Sequence, residues 1–157
     1  MSHSGGYGPK VKRPDGSWDI FAIIGPTEVD NNIPQFDTET IKYLVWHEFS
    51  HSFVNPITKK NYNEISKYSN LFSPITEKMQ KQAYANWETC VNEHVVRAVT
   101  IRLTERYEGK EKADGFFYIE PICNKLVEYE ENRDRYKNFE DFYPEIITVF
   151  KELSEKN

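Results

Sequence analysis

The sequence predicts a single α+β domain in which a small N-terminal β-sheet packs on helices, and three observations predict it. Strand-forming runs with turn chemistry dominate the first 25 residues, whereas capped helical patterns dominate the chain from Thr38 onward. The length of 157 residues suits one sizeable core and is short for two. With 38% hydrophobic and 29% charged residues, the composition is that of a folded globular chain.

Taken in order, Tyr7 to Arg13 reads as a strand, Pro14-Asp15-Gly16 as a turn, and Trp18 to Ile24 as a second strand closed by Gly25-Pro26. Gly5, Gly6 and Gly8 weaken the first strand as core material and suit an edge where another backbone comes close. Residues 26 to 36 read as a loop. A helix is expected over Thr38 to Val54, with Asp37 as N-cap and Asn55-Pro56 as stop. Residues 57 to 72 are polar and read as a loop or a short irregular helix. Ser73-Pro74 starts a helical pattern that reaches Tyr107, with a break near Ala85 to Trp87. Within it Val91, Val95, Val96, Ala98, Val99, Ile101 and Leu103 wrap most of the helix surface, the pattern of a buried helix. Gly115 to Ile119 reads as a short strand, and two amphipathic helices follow at Pro121 to Arg133 and Phe139 to Leu153, the second bent or restarted at Pro144.

The formal net charge of -5 argues against nucleic acid as a main partner. No apolar run reaches the roughly 18 residues that span a bilayer, and Met1 to Gly8 lack the apolar core of a signal peptide. Localisation and oligomeric state stay open, since the chain could be a domain of a longer precursor. Cys90 and Cys123 make neither a disulfide framework nor a metal ligand set.

The chemistry lies in His47-Glu48-Phe49-Ser50-His51. On a helix, His47 and His51 share one face and Glu48 stands one step round. Two neutral imidazoles at this spacing are good Zn²⁺ ligands, and a carboxylate behind them can reach water held by the metal. Glu48 is therefore the expected general base. Leu44 shares the stripe, so the polar trio faces an apolar neighbourhood.

A catalytic zinc site wants a third protein ligand. Glu93 is the first candidate, because an unpaired carboxylate in a buried helix would be expensive and a metal would compensate it. Its other reading is an ion pair with Arg97 at i, i+4, and the two are compatible if Arg97 holds the carboxylate from behind. His94 is the second candidate, about 100° round the helix from Glu93. His3 lies in the loose N-terminus. As donor to a developing oxyanion, Tyr118 leads, with Tyr62, Tyr68 and Tyr84 in competition; Tyr118 equally suits an aromatic packed on the core.

The stretch H-E-F-S-H, followed some forty residues later by Asn92-Glu93, resembles the gluzincin metallopeptidases of the thermolysin clan. The longer pattern H-E-F-S-H-S-F-V-N-P, V-N-E-H-V-V-R-A and G-F-F-Y is more closely similar to a bacterial family built on a domain of unknown function and zincin-like in character. The resemblance runs from Gly5 to about Pro144. It implies a zincin-like fold, with the sheet on the H-E-x-x-H helix, a glutamate-ligand helix and C-terminal helices. It further implies His47, His51 and Glu93 as ligands of Zn²⁺, Glu48 as base, Asn92 beside the ligand, and a peptide or protein substrate. The chain departs from the thermolysin pattern at Arg97, where that clan carries an aspartate, so the partners behind the third ligand must differ. The expected function is zinc-dependent peptide hydrolysis. Its rivals are an inactive binding domain of the same fold and a zinc amidase acting on a non-protein amide.

Overall fold

The computed structural model describes residues 5–106, 109 and 111–156. His3 and Tyr107 lie outside the described residues. The architecture is α+β, with small β-sheets followed by helices, and the chain divides into two compact units, Met1–Phe53 and Val54–Asn157.

In the first unit, short antiparallel pairs replace the expected single sheet. Strand β1 (Gly6–Tyr7) pairs with β4 (Ile23–Ile24), and between them β2 (Lys10–Lys12) pairs with β3 (Trp18–Ile20). The four form one interrupted hairpin. Pro9 has no N–H to give a ladder, so the regular pairing lapses there, and its carbonyl is met instead by Phe21 N at 3.1 Å. The turn at Pro14-Asp15-Gly16 is as expected. Gly16 N donates to Arg13 O at 3.0 Å, Gly16 adopts φ +88°, and Asp15 Oδ1 accepts from Ser17 N at 2.9 Å.

The segment read as a loop holds a further hairpin, β5 (Glu28–Asp30) and β6 (Ile33–Gln35). Its two central residues, Asn31 and Asn32, have φ of +48° and +64°. A two-residue type I′ turn needs both in the left-handed region, and asparagine tolerates it. Thr27 N and Oγ1 both donate to Gln35 O, and Thr27 Oγ1 in turn accepts from Asp37 N, tying this hairpin to the next helix.

Helix α1 (Thr38–Lys60) starts as expected, with Thr40 N donating to Asp37 Oδ2 at 2.8 Å. It continues through Pro56 instead of stopping. Proline removes the N–H that would bond to the carbonyl four residues back, which is that of Ser52. Lys10 Nζ approaches this carbonyl at 3.5 Å and offsets part of the loss.

The second unit is helical. Helix α2 (Tyr62–Ile65) leads into a 3₁₀ stretch (Ser66–Ile75), α3 (Thr76–Lys81), α4 (Trp87–Thr104), α5 (Ile119–Glu131) and α6 (Phe139–Glu155). Pro74 sits inside the 3₁₀ stretch and not at a helix start. No strand forms at Gly115 to Ile119. The chain turns there, with Phe116 N bonded to Glu111 O at 2.8 Å, and enters α5. Helix α6 passes Pro144 without a restart.

The core of this unit gathers Ile65, Leu71, Met79, Trp87, Val95, Ile122, Phe142, Ile146 and Phe150. Trp87 Nε1 donates to Ile65 O at 2.9 Å, and Tyr143 Oη lies 2.6 Å from Thr58 Oγ1, so the large aromatics bury no wasted polar group. The helix that carries Glu93 begins at a reciprocal cap. Asn86 Oδ1 accepts from Thr89 N at 2.9 Å, while Thr89 Oγ1 faces Asn86 N at 3.4 Å. Asn86→Ala should therefore cost about 1 kcal/mol of stability, read as a lowered urea midpoint with an unchanged slope. A midpoint equal to that of the unaltered protein would contradict the cap.

Candidate metal centre

In the first unit, α1 carries His47, Glu48 and His51 at the expected spacing. His47 and Glu48 are each 9% exposed, and His51 is half-buried. The two imidazoles point their Nε2 atoms at one another, 3.2 Å apart, with the rings edge to face at 4.9 Å. Tyr43, one turn earlier, stacks on His47 at 6.1 Å and sets the ring plane. Two imidazole nitrogens of this kind need a shared proton or a shared electrophile between them, because two bare lone pairs repel.

In the second unit, α4 carries Asn92, Glu93, His94 and Arg97. Glu93 is 2% exposed. Arg97 Nε meets Glu93 Oε1 at 2.8 Å, so the i, i+4 ion pair forms as read. The guanidinium also lies 4.3 Å from the centre of the Phe116 ring, a cation–π contact that holds it flat. The Oδ1 atom of Asn92 is buried with no hydrogen-bond partner among the described residues.

His94 lies wholly in the core of the second unit. Its Nδ1 bonds to Cys90 O at 2.8 Å, which places the proton on Nδ1, and its ring packs against Phe116 and Tyr118 at 5.2 and 5.0 Å. Burial pushes its pKa down to about 4, so it is neutral near pH 7.

Of the two readings of Tyr118, the structure describes the core aromatic. Its hydroxyl donates to Leu71 O at 2.6 Å and its ring packs on Trp87 and Phe150. A proton already given to a buried backbone carbonyl is not available to an oxyanion. Among the competing tyrosines, Tyr84 is the one whose hydroxyl senses this site. Burial first, and the Glu93 carboxylate second, push its pKa up to about 12 against the opposing pull of Arg97. No local sequence signal separates Tyr84 from the other nine tyrosines.

The family model described as Domain of unknown function (DUF4932) matches residues 2–149. The chain belongs to the DUF4932 family. This membership agrees with the resemblance to a family built on a domain of unknown function, and it spans both units. The likeness to thermolysin-clan peptidases is carried by residues of the DUF4932 chain alone. Neither a curated protein nor a solved structure matches it. Among the described residues, no helix is long and apolar enough to cross a membrane.

The buried His94 generates a pH prediction. Its folded pKa of about 4 lies below the ordinary 6.5, so the unfolded chain takes up a proton that the folded one refuses. Its contribution is complete above pH 6.5 and is lost as pH falls towards 4, by up to about 1.4 kcal/mol per pH unit. In chelator-treated protein, His94→Phe should flatten that part of the stability–pH curve. Identical curves for the two proteins would contradict the assignment.

Proposed function

We propose that the chain is a zinc-dependent peptide hydrolase in which His47, His51 and Glu93 hold the metal ion and Glu48 is the general base. The observation that carries the reading is that His47, His51 and Glu93 form a group that could bind a metal ion. The donor chemistry fits. Two neutral nitrogens and one carboxylate oxygen are the set of a catalytic zinc site, which keeps one position open. Arg97 engages Oε1 of Glu93.

When bound, the ion supplies a Lewis acid that acidifies water and polarises a carbonyl. The residues of the chain do the rest. His47 and His51 orient through the rigid turn of α1, and Tyr43 fixes the ring of His47. Glu48 takes one proton from the attacking water and returns it to the leaving nitrogen as the C–N bond breaks. Its low exposure keeps bulk water from competing for that proton. Arg97 offers the buried Glu93 a fixed opposite charge.

The Arg97–Glu93 pair also favours a second reading, a binding domain that keeps the metal without turnover, because an arginine stands behind the third ligand where the peptidases it resembles carry an aspartate. One zinc ion per chain together with no cleavage across a broad peptide library would decide for it.

Metal analysis after zinc loading should give one ion per chain. His47→Ala and Glu93→Ala should lose it, while Glu48→Gln should retain it and lower peptide cleavage by at least about a hundredfold. Full cleavage by the Glu48→Gln protein would remove the base assignment. Failure of the unaltered chain to bind zinc at neutral pH would remove the whole reading.

A further inference from the structure

The glycines of the first unit fall into two kinds. Gly5 and Gly16 have φ of +132° and +88°, and a Cβ added at either would meet nothing within 4 Å. They are glycine for their backbone angles. Neither Gly6 nor Gly8 has positive φ, so any residue could adopt their conformation. They are glycine for want of space.

What fills that space is Glu48. A Cβ at Gly6 would stand 2.6 Å from Glu48 Oε1, 2.7 Å from its Cγ and 3.0 Å from its Cδ. At Gly8 it would stand 3.1 Å from Glu48 O and 3.2 Å from Oε2. Residues i and i+2 of an extended segment share a face, so Gly6 and Gly8 together turn one bare face to this side chain. The segment is itself held in place. β1 pairs with β4, Gly25 N donates to Gly5 O at 3.0 Å, and Lys10 Nζ reaches Ser52 O, one turn beyond Glu48 on α1.

We propose that Gly6 and Gly8 are positioning residues for the general base, forming a side-chain-free backbone seat that fixes the conformation of Glu48. The role rests on the reading of Glu48 as base given above. A glutamate on a helix samples several rotamers, and a proton acceptor displaced by about 1 Å can cost a hundredfold in rate. The strand limits that freedom without a side chain of its own, and a single methyl at Gly6 would take the place now held by the carboxylate.

The experiment has two arms. In the first, Gly6→Ala in the zinc-loaded protein should lower kcat by about a hundredfold, with KM within about threefold and one zinc ion still bound. Gly8→Ala, whose contacts are looser, should show the same split with a smaller loss, and it carries this arm if Gly6→Ala does not fold. A kcat equal to that of the unaltered enzyme, or a loss entirely in KM, would overturn the proposal. In the second arm, needing neither metal nor turnover, Gly6→Ala, whose added Cβ would have side-chain atoms of Glu48 as its nearest contacts, is compared with and without Glu48→Ala by urea unfolding. The glycine substitution should lower the midpoint in the Glu48 background and leave it unchanged in the Glu48→Ala background. An equal shift in both backgrounds would overturn the seat. If the unaltered protein cleaves nothing, the proposed function fails and the positioning role with it, whereas the second arm still reports whether Gly6 packs on Glu48.

Discussion

A carboxylate 2% exposed in the middle of an apolar helix is the constraint around which the second unit is arranged. Transfer of an ionised group out of water costs far more than one helix-capping interaction returns, so Glu93 must be compensated on the spot. Arg97 supplies the charge, and Phe116 holds the guanidinium flat at 4.3 Å. Phe116 is placed by the turn after α4, through Phe116 N on Glu111 O, and its ring also packs on His94 and Tyr84. One expensive charge thus accounts for the convergence of Arg97 and Phe116 beside it. The first unit obeys the complementary rule. Its strands are short and leave Tyr7, Val11, Trp18 and Ile23 exposed, so its specificity comes from close backbone approach and turn chemistry, not from a buried sheet core.

Proline accounts for several departures from expectation. Asn55-Pro56 predicts a helix stop because the residue before proline is pushed out of helical dihedrals, yet α1 continues to Lys60. The cost is one lost hydrogen bond at Ser52 O, and Lys10 from the hairpin approaches that carbonyl. Pro144 is likewise absorbed within α6. Local rules price the broken bond correctly. They cannot see a lysine forty-two positions earlier that offsets it.

The same distinction governs how much was legible. His47, Glu48 and His51 could be read because a helix fixes their relation within five residues, and Asp37 could be read as a cap for the same reason. The burial of Glu93 is legible through an energetic argument, since its helix carries apolar residues round most of its surface. Asn31-Asn32 carries a turn signal, but flanking strands of only three residues each give too little alternation to mark a hairpin. Tyr118 was not decidable, because its hydroxyl is committed to Leu71 O, forty-seven residues away. The glycines at 6 and 8 announced a close approach, but no sequence pattern names Glu48 as what they approach.

Arg97 is where the chemistry of the chain departs furthest from the peptidases it resembles, and electrostatics says what the departure does. An aspartate behind a metal-binding group raises its negative charge and its basicity. An arginine does the opposite, drawing charge from Glu93 while fixing one of its oxygens. The metal would then be held less tightly, by a carboxylate whose orientation is better defined. The contact with Phe116 moderates the effect, since the ring face takes up part of the guanidinium charge. A more electron-poor ligand set leaves an ion more acidic towards its open position. Under the proposed reading Arg97 would trade metal affinity against Lewis acidity, and it would do so from within α4, through an ion pair at i, i+4.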